Sequence, residues 1–172
     1  MKLKSLSAHL AFLGFASFAQ ADPLAVGSAA PEPSAVDQDG KTVNFKDVYA
    51  KGATLVYFYP KADTPGCTKE ACSIRDSWGE LQKKGIQVLG VSEDKPDAQK
   101  KFAEKYKLPH TLIADSDGKV AKAFDVDMIP VANLTKRQSF LIKDGKIAWN
   151  MLSASTDTHA ADVLKAYDQL PK

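Results

Sequence analysis

The 172-residue chain is 44% hydrophobic and 26% charged, enough for one ordinary globular core and too order-promoting for a disordered tail. Its 23 Lys+Arg against 21 Asp+Glu leave a formal charge of only +2, which excludes a broad basic surface holding nucleic acid by counterion release. Two cysteines can build neither a disulfide-dense scaffold nor a four-cysteine zinc site.

The chain opens with Lys2 and Lys4, an uncharged run containing Leu10, Phe12, Leu13, Phe15 and Phe18, and then Ala19-Gln20-Ala21 ahead of Asp22. This layout predicts a secretory signal peptide over residues 1–21, cleaved after Ala21. A membrane anchor would need roughly 20 predominantly apolar residues, whereas the stretch from Ser5 to Ala21 is shorter and includes His9, Gly14 and Gln20. Cleavage would leave residues 22–172 as a single domain, free of the membrane, in a periplasmic or otherwise exported and oxidising compartment. Both signal lysines leave and no acidic residue does, so the mature domain is formally neutral.

Residues 25–34 are rich in Pro, Ala and Gly and read as an irregular lead-in, followed by a turn at Asp37–Gly40 between short extended pieces. Thr54–Tyr59 is an unbroken apolar and aromatic run stopped by Pro60, the signature of a strand buried on both faces in the centre of a parallel sheet. Ile86–Val91 is a second such run. Between them Ala71, Ile74, Trp78 and Leu81 recur at helical spacing, giving a strand, helix, strand crossover. Asp97–Tyr106 is an amphipathic helix with Ala98, Phe102 and Tyr106 on one face, and Thr111–Ala114 a short strand. Gln138–Ile142 and Ile147–Met151 flank a turn and form an antiparallel edge hairpin. A last helix starts near Asp157 and turns Ala160, Val163, Leu164 and Tyr167 inward. This order predicts an α/β fold, a central mixed sheet flanked by helices.

The chemistry concentrates where the first buried strand hands over to its helix, Pro60-Lys-Ala-Asp-Thr64-Pro-Gly66-Cys67-Thr-Lys-Glu70-Ala-Cys72. Thr64 followed by Pro65 reads as an N-cap and first helical residue, which puts Cys67 in the first turn. Unused backbone N–H groups and the helix dipole both stabilise negative charge there. Cys67 also extends the apolar series backwards by four and so points toward the protein body. In a regular helix Cys67 and Cys72 have Cα atoms about 8.6 Å apart and side chains diverging by about 140°, while a disulfide needs Cα atoms within about 7 Å. Bonding between them therefore requires the helix to unwind. On residue chemistry alone, a redox pair stands beside a passive local bond, which would stabilise by only about 2 kcal/mol. Metal binding has little support, because His110 and His159 lack ligand-like spacing.

The spacing of Pro60, Thr64 and Cys67, P-x-x-x-T-x-x-C, resembles the active-site signature of the peroxiredoxins, and T-P-G-C-T-K-E-A-C resembles their bacterioferritin comigratory protein (Q-type) branch. Similar stretches begin at Asp39, Tyr57, Gly90, Lys101, Arg137 and His159, so the resemblance runs over most of residues 30–165. It implies a thioredoxin-like fold, a peroxidatic Cys67 and a resolving Cys72 that would join in an intramolecular disulfide. It also implies a peroxide pocket formed by Pro60, Thr64, Gly66 and Arg137, with Glu70 in support. Arginine occurs only twice, at Arg75 and Arg137, and a fixed, always-charged fork suits an anionic sulfur. Arg75 reads as structural.

The resemblance further implies hydrogen peroxide or an alkyl hydroperoxide as substrate, a thioredoxin-like or other dithiol as reductant, no cofactor, and a monomer. Three departures stand out. Ala30-Pro31-Glu32-Pro33 lacks the aromatic often found at that place, residues 125–136 do not align with the family pattern, and most members of the branch carry no export signal. The alternatives are an exported thiol–disulfide oxidoreductase of the same fold, which would carry C-x-x-C and a proline before the strand at Ser139, and a secreted binding module with a passive disulfide.

Overall fold

The computed structural model describes residues 24–132 and 134–171; the expected signal peptide lies outside them. A seven-stranded sheet runs in the order β2-β1-β5-β4-β3-β8-β9, with β1 Ser34–Asp37, β2 Thr42–Asn44, β3 Thr54–Phe58, β4 Gln87–Ser92, β5 Thr111–Ala114, β8 Gln138–Lys143 and β9 Lys146–Met151. Its helices are α1 Phe45–Tyr49, α2 Pro65–Asp76, α3 Trp78–Lys83, α4 Pro96–Tyr106, α5 Lys119–Ala123 and α6 His159–Asp168. The mixed α/β architecture is as the alternation of buried runs and amphipathic stretches predicts. Among the described residues no helix is long and apolar enough to cross a membrane.

The sheet is parallel only at β3–β4–β5. On its other side β3 pairs antiparallel with β8, in register Tyr57↔Ser139 and Phe58↔Gln138, so the expected parallel surroundings of β3 hold on one flank only. The register explains the position of the next residue along the chain. Arg137, just before β8, stands at the same end of the sheet as Tyr59 and Pro60, just after β3. Every residue of β3 is buried because its two faces feed two core layers. Leu55 and Tyr57 pack with Ile74, Leu81, Phe102 and Val163, and Val56 and Phe58 with Phe45, Phe124 and Phe140. Each such aliphatic or aromatic burial is worth about 1.5–3 kcal/mol.

Two local readings are corrected. The helix carrying Ala71 to Leu81 is two helices meeting at Ser77, whose N–H turns back to Ser73 and Arg75 while its carbonyl accepts from Glu80 and Leu81; Asp76, Ser77 and Gly79 are weak helix formers. On α4 the fully buried partner of Phe102 is the polar Gln99, whereas Ala98 and Tyr106 are half-buried. Residues 125–136 contain a small hairpin, β6 Met128–Ile129 paired with β7 Leu134–Thr135.

Candidate active site

Strand β3 ends at Phe58, and the chain from Pro60 to Thr64 is pinned before it enters α2. The Ala62 N–H donates to Asp94 Oδ2 at 2.7 Å, and Ser92 Oγ donates to the same oxygen at 2.8 Å. Gln99 Nε2 donates to Ser92 Oγ at 2.8 Å and to the Ile113 carbonyl at 3.0 Å, and the buried Tyr59 hydroxyl donates to Gln99 Oε1. Asp63 adopts the left-handed region at φ 57°, an uncommon state for a residue with a side chain. Its carboxylate accepts from Lys105 Nζ at 2.9 and 2.8 Å and from the Tyr106 hydroxyl at 2.7 Å. These donors hold the Asp63 carboxyl below its usual range.

Thr64 is extended and Pro65 is the first residue of α2, as the T-P pair predicts, but the threonine hydroxyl does not cap the helix. It donates to the Lys61 carbonyl at 2.9 Å and makes no bond to Cys67. The helical ladder begins with the Thr68 N–H on the Thr64 carbonyl at 2.8 Å, so the N–H groups of Gly66 and Cys67 stand ahead of it, where anions are favoured. Cys67 is 2% exposed beneath the half-buried Pro60, Thr64 and Gly66. Both cysteines are free, Cys72 half-buried, and one unbroken helix carries both.

Arg137 closes the site. Its Nη2 donates to the Cys67 sulfur at 3.4 Å while Nη1 donates to Glu70 Oε2. Burial works against the guanidinium charge, but Glu70 and Cys67 outweigh it and hold Arg137 above its ordinary value. A Cβ at Gly66 would stand 3.3 Å from Nη2, so the bare backbone at 66 leaves room for the fork. The segment after β9 seals the flank: the Ala154 N–H bonds to the Arg137 carbonyl at 3.1 Å, and Lys69 pairs with Asp157 at 2.6 Å.

The structure thus brings Pro60, Thr64, Gly66, Cys67, Glu70 and Arg137 into one place. It adds a residue that spacing did not single out. His159, wholly buried at the start of α6, has Nδ1 3.0 Å from Glu70 Oε1 and Nε2 2.8 Å from Ser139 Oγ. His110 is a core residue, its Nε2 2.8 Å from the Tyr57 hydroxyl. A cavity of about 300 Å³ lined by Trp78, Gln82, Pro109 and His110 and a larger one of about 500 Å³ lined by Gly27, Lys143, Ile147 and Leu170 contain none of the residues around Cys67, so chemistry and not size marks the site.

An arginine and a helix N-terminus converging on a buried thiol can hold a thiolate and the oxygen leaving a bond that it attacks. Known proteins of this build are similar to the chain. Residues 26–150 match the AhpC/TSA family. The chain is 45% identical over 149 residues to peroxiredoxin Bcp of Escherichia coli K12, covering 83% of this chain and 95% of that one. It is 41% identical over 122 residues to the chloroplastic peroxiredoxin Q of Gentiana triflora, covering 70% and 56%. The crystal structure of peroxidoxin BcpB from Mycobacterium tuberculosis superposes with a TM-score of 0.80 at 32% identity, covering 87% and 99%.

Proposed function

Because the chain belongs to the AhpC/TSA family, in its peroxiredoxin Bcp/Q branch, and is a thiol peroxidase, we propose that Cys67 attacks the peroxide and Cys72 resolves the product. The Cys67 thiolate attacks one oxygen of R–O–O–H and forms the S–O bond of a sulfenic acid, while the O–O bond breaks and the other oxygen leaves as an alkoxide or hydroxide that gains a proton to become alcohol or water. The Cys72 thiol then condenses with the sulfenic acid, forming the disulfide and releasing water. An external dithiol reduces that disulfide and is itself oxidised. The single observation that carries this assignment is the Arg137 Nη2 contact to the Cys67 sulfur at 3.4 Å, a fixed cation beside a buried thiol at a helix start.

Each neighbour has a part that its position supports. Arg137 balances the thiolate and the charge developing on the leaving oxygen. Thr64 has its hydroxyl hydrogen committed to Lys61, so its oxygen is an acceptor for the peroxide proton. Pro60 and Gly66 shape the approach, and Glu70 orients the guanidinium. The relatives' names favour peroxide over a protein disulfide as substrate.

Residues 1–21, on this reading, direct export and are removed, and the domain works as a monomer in an oxidising compartment. The support is the lysine, apolar run and Ala-Gln-Ala order alone, and N-terminal sequencing of the secreted protein tests it. For the chemistry, the reduced protein lacking residues 1–21 is titrated with hydrogen peroxide and its cysteines are mapped by mass. Consumption of one equivalent with formation of a Cys67–Cys72 disulfide is expected; a Cys67→Ser variant that reacts as fast as wild type would overturn the assignment.

A further inference from the structure

We propose that His159 is a positioning residue of this thiol site, acting through Glu70 on Arg137 and so on Cys67. The inference rests on the assignment of Cys67 as the attacking sulfur and adds to it a residue from the far end of the chain.

Glu70 is wholly buried, and a buried carboxylate is costly unless both oxygens are partnered. One oxygen, Oε2, takes Arg137 Nη1. The other, Oε1, faces His159 Nδ1 at 3.0 Å, but the pair is not aligned as a formed hydrogen bond and neither atom has another side-chain or backbone partner. A carboxylate only accepts, so this approach calls for the hydrogen on Nδ1. In the neutral ring Nε2 is then bare, and Ser139 Oγ, 2.8 Å away, donates to it. Ser139 thus donates to His159 and Arg137 to both Glu70 and Cys67, while the Nδ1 hydrogen of His159 stands beside Glu70 Oε1 as a close polar contact.

The consequence for the reaction lies in how one cation is shared. Arg137 serves two anions when Cys67 is a thiolate. Charge drawn off Glu70 by the His159 N–H lowers the carboxylate's hold on the guanidinium and leaves more of it for the sulfur. The imidazole also fixes the rotamer of Glu70, and through it the direction of the fork. Neither side chain of the pair is exposed to solvent, and the Tyr57 ring packs 5.6 Å from the imidazole centroid.

The test uses the signal-free protein in a Cys72→Ser background, so that only Cys67 responds. His159→Phe keeps ring bulk and removes the donor; His159→Asn places an amide N–H near the former Nδ1; His159→Gln places one near Nε2 instead. Two rates are read at neutral pH: alkylation of Cys67 by iodoacetamide, and oxidation by hydrogen peroxide. His159→Phe is expected to slow both by about threefold to tenfold, the scale of one ordinary hydrogen bond. His159→Asn should recover both to within about twofold of the parent, and His159→Gln should not. Wild-type alkylation and oxidation rates in His159→Phe overturn the proposal. So does equal slowing in all three variants, which marks a packing role. If the parent alkylates readily but ignores peroxide, the peroxidase assignment fails, while the alkylation series still decides the role of His159.

Discussion

Arg137 reaches Cys67 and Glu70 with the two ends of one guanidinium, Nη2 lying 3.4 Å from the sulfur and Nη1 donating to the carboxylate. A lysine has one charged atom and cannot occupy both positions. Arg137→Lys is therefore expected to lower the second-order rate constant for peroxide by about a hundredfold, the usual loss when a preorganised donor is removed. Stopped-flow measurement of Cys67 oxidation checks this, and a loss below about threefold would remove Arg137 from the machinery.

Gly66 tests the same contact from the backbone side. Its φ is ordinary, so the strain of a side chain there would come from space alone: the new Cβ would stand 3.3 Å from Arg137 Nη2 and 3.6 Å from Thr156 Cγ2. Gly66→Ala is expected to shift the guanidinium and slow peroxide oxidation several-fold. The unfolding free energy measured in urea should change by less than about 1 kcal/mol, since the helix gains propensity at that position.

On the proposed mechanism Cys72 acts second. With Cys72→Ser, the first peroxide equivalent should be consumed at the parent rate, the sulfenic acid should persist, and excess peroxide should carry it to sulfinic acid. Mass spectrometry of trapped protein distinguishes these forms. A slowed first equivalent would show that Cys72 also assists the attack.

Stability should depend on pH through His110. Burial pushes its imidazole down to about 3 from an ordinary 6.5, and burial likewise keeps the neighbouring Tyr57 hydroxyl, 2.8 Å from His110 Nε2, protonated. The unfolded chain takes up the proton that the folded one refuses. The ring therefore costs nothing above pH 6.5 and lowers stability as pH falls from 6.5 toward 3. Between pH 6.5 and about 5 the loss is about 2 kcal/mol. His110→Gln retains a hydrogen-bonding partner for Tyr57 and removes the titration, and urea unfolding at the two pH values should show a shallower decline than wild type.

Much of this arrangement is legible in local sequence because it arises from local rules. The run Thr54–Tyr59 marks the buried strand, Thr64-Pro65 marks the helix start, and the spacing of Cys67, Ala71 and Ile74 marks the face that α2 buries. The resemblance to peroxiredoxins supplies Arg137, which no spacing rule could connect to a residue 70 positions earlier. What stays hidden depends on contacts between distant segments. His159 meets Glu70 only because α6 packs against α2. Gln99 is buried because Tyr59, Ser92 and the Ile113 carbonyl satisfy it, which amphipathic counting scores as a polar mismatch. The Thr64 hydroxyl donates to the Lys61 carbonyl and its oxygen accepts from no N–H of its own helix, a local side-chain-to-backbone bond being the alternative to the cap.

Glu70 sits between Cys67 and Cys72 on the same helix, inside the stretch that must come apart before the two sulfurs can meet. Joining them would carry the buried carboxylate away from Arg137 and His159, and would also loosen the Lys69–Asp157 pair at the rim. On the proposed mechanism, oxidation then takes down the electrostatic frame around the thiol. The spent protein is locked out of a second encounter until its disulfide is reduced and the turn rewinds. Each cycle thereby contains a small folding reaction, in which helix formation rearms the site and opposes its discharge. Amide hydrogen exchange along residues 65–76 should accordingly be slow in the reduced protein and fast in the oxidised one; equal protection in both would mean that the sulfurs join without the helix opening.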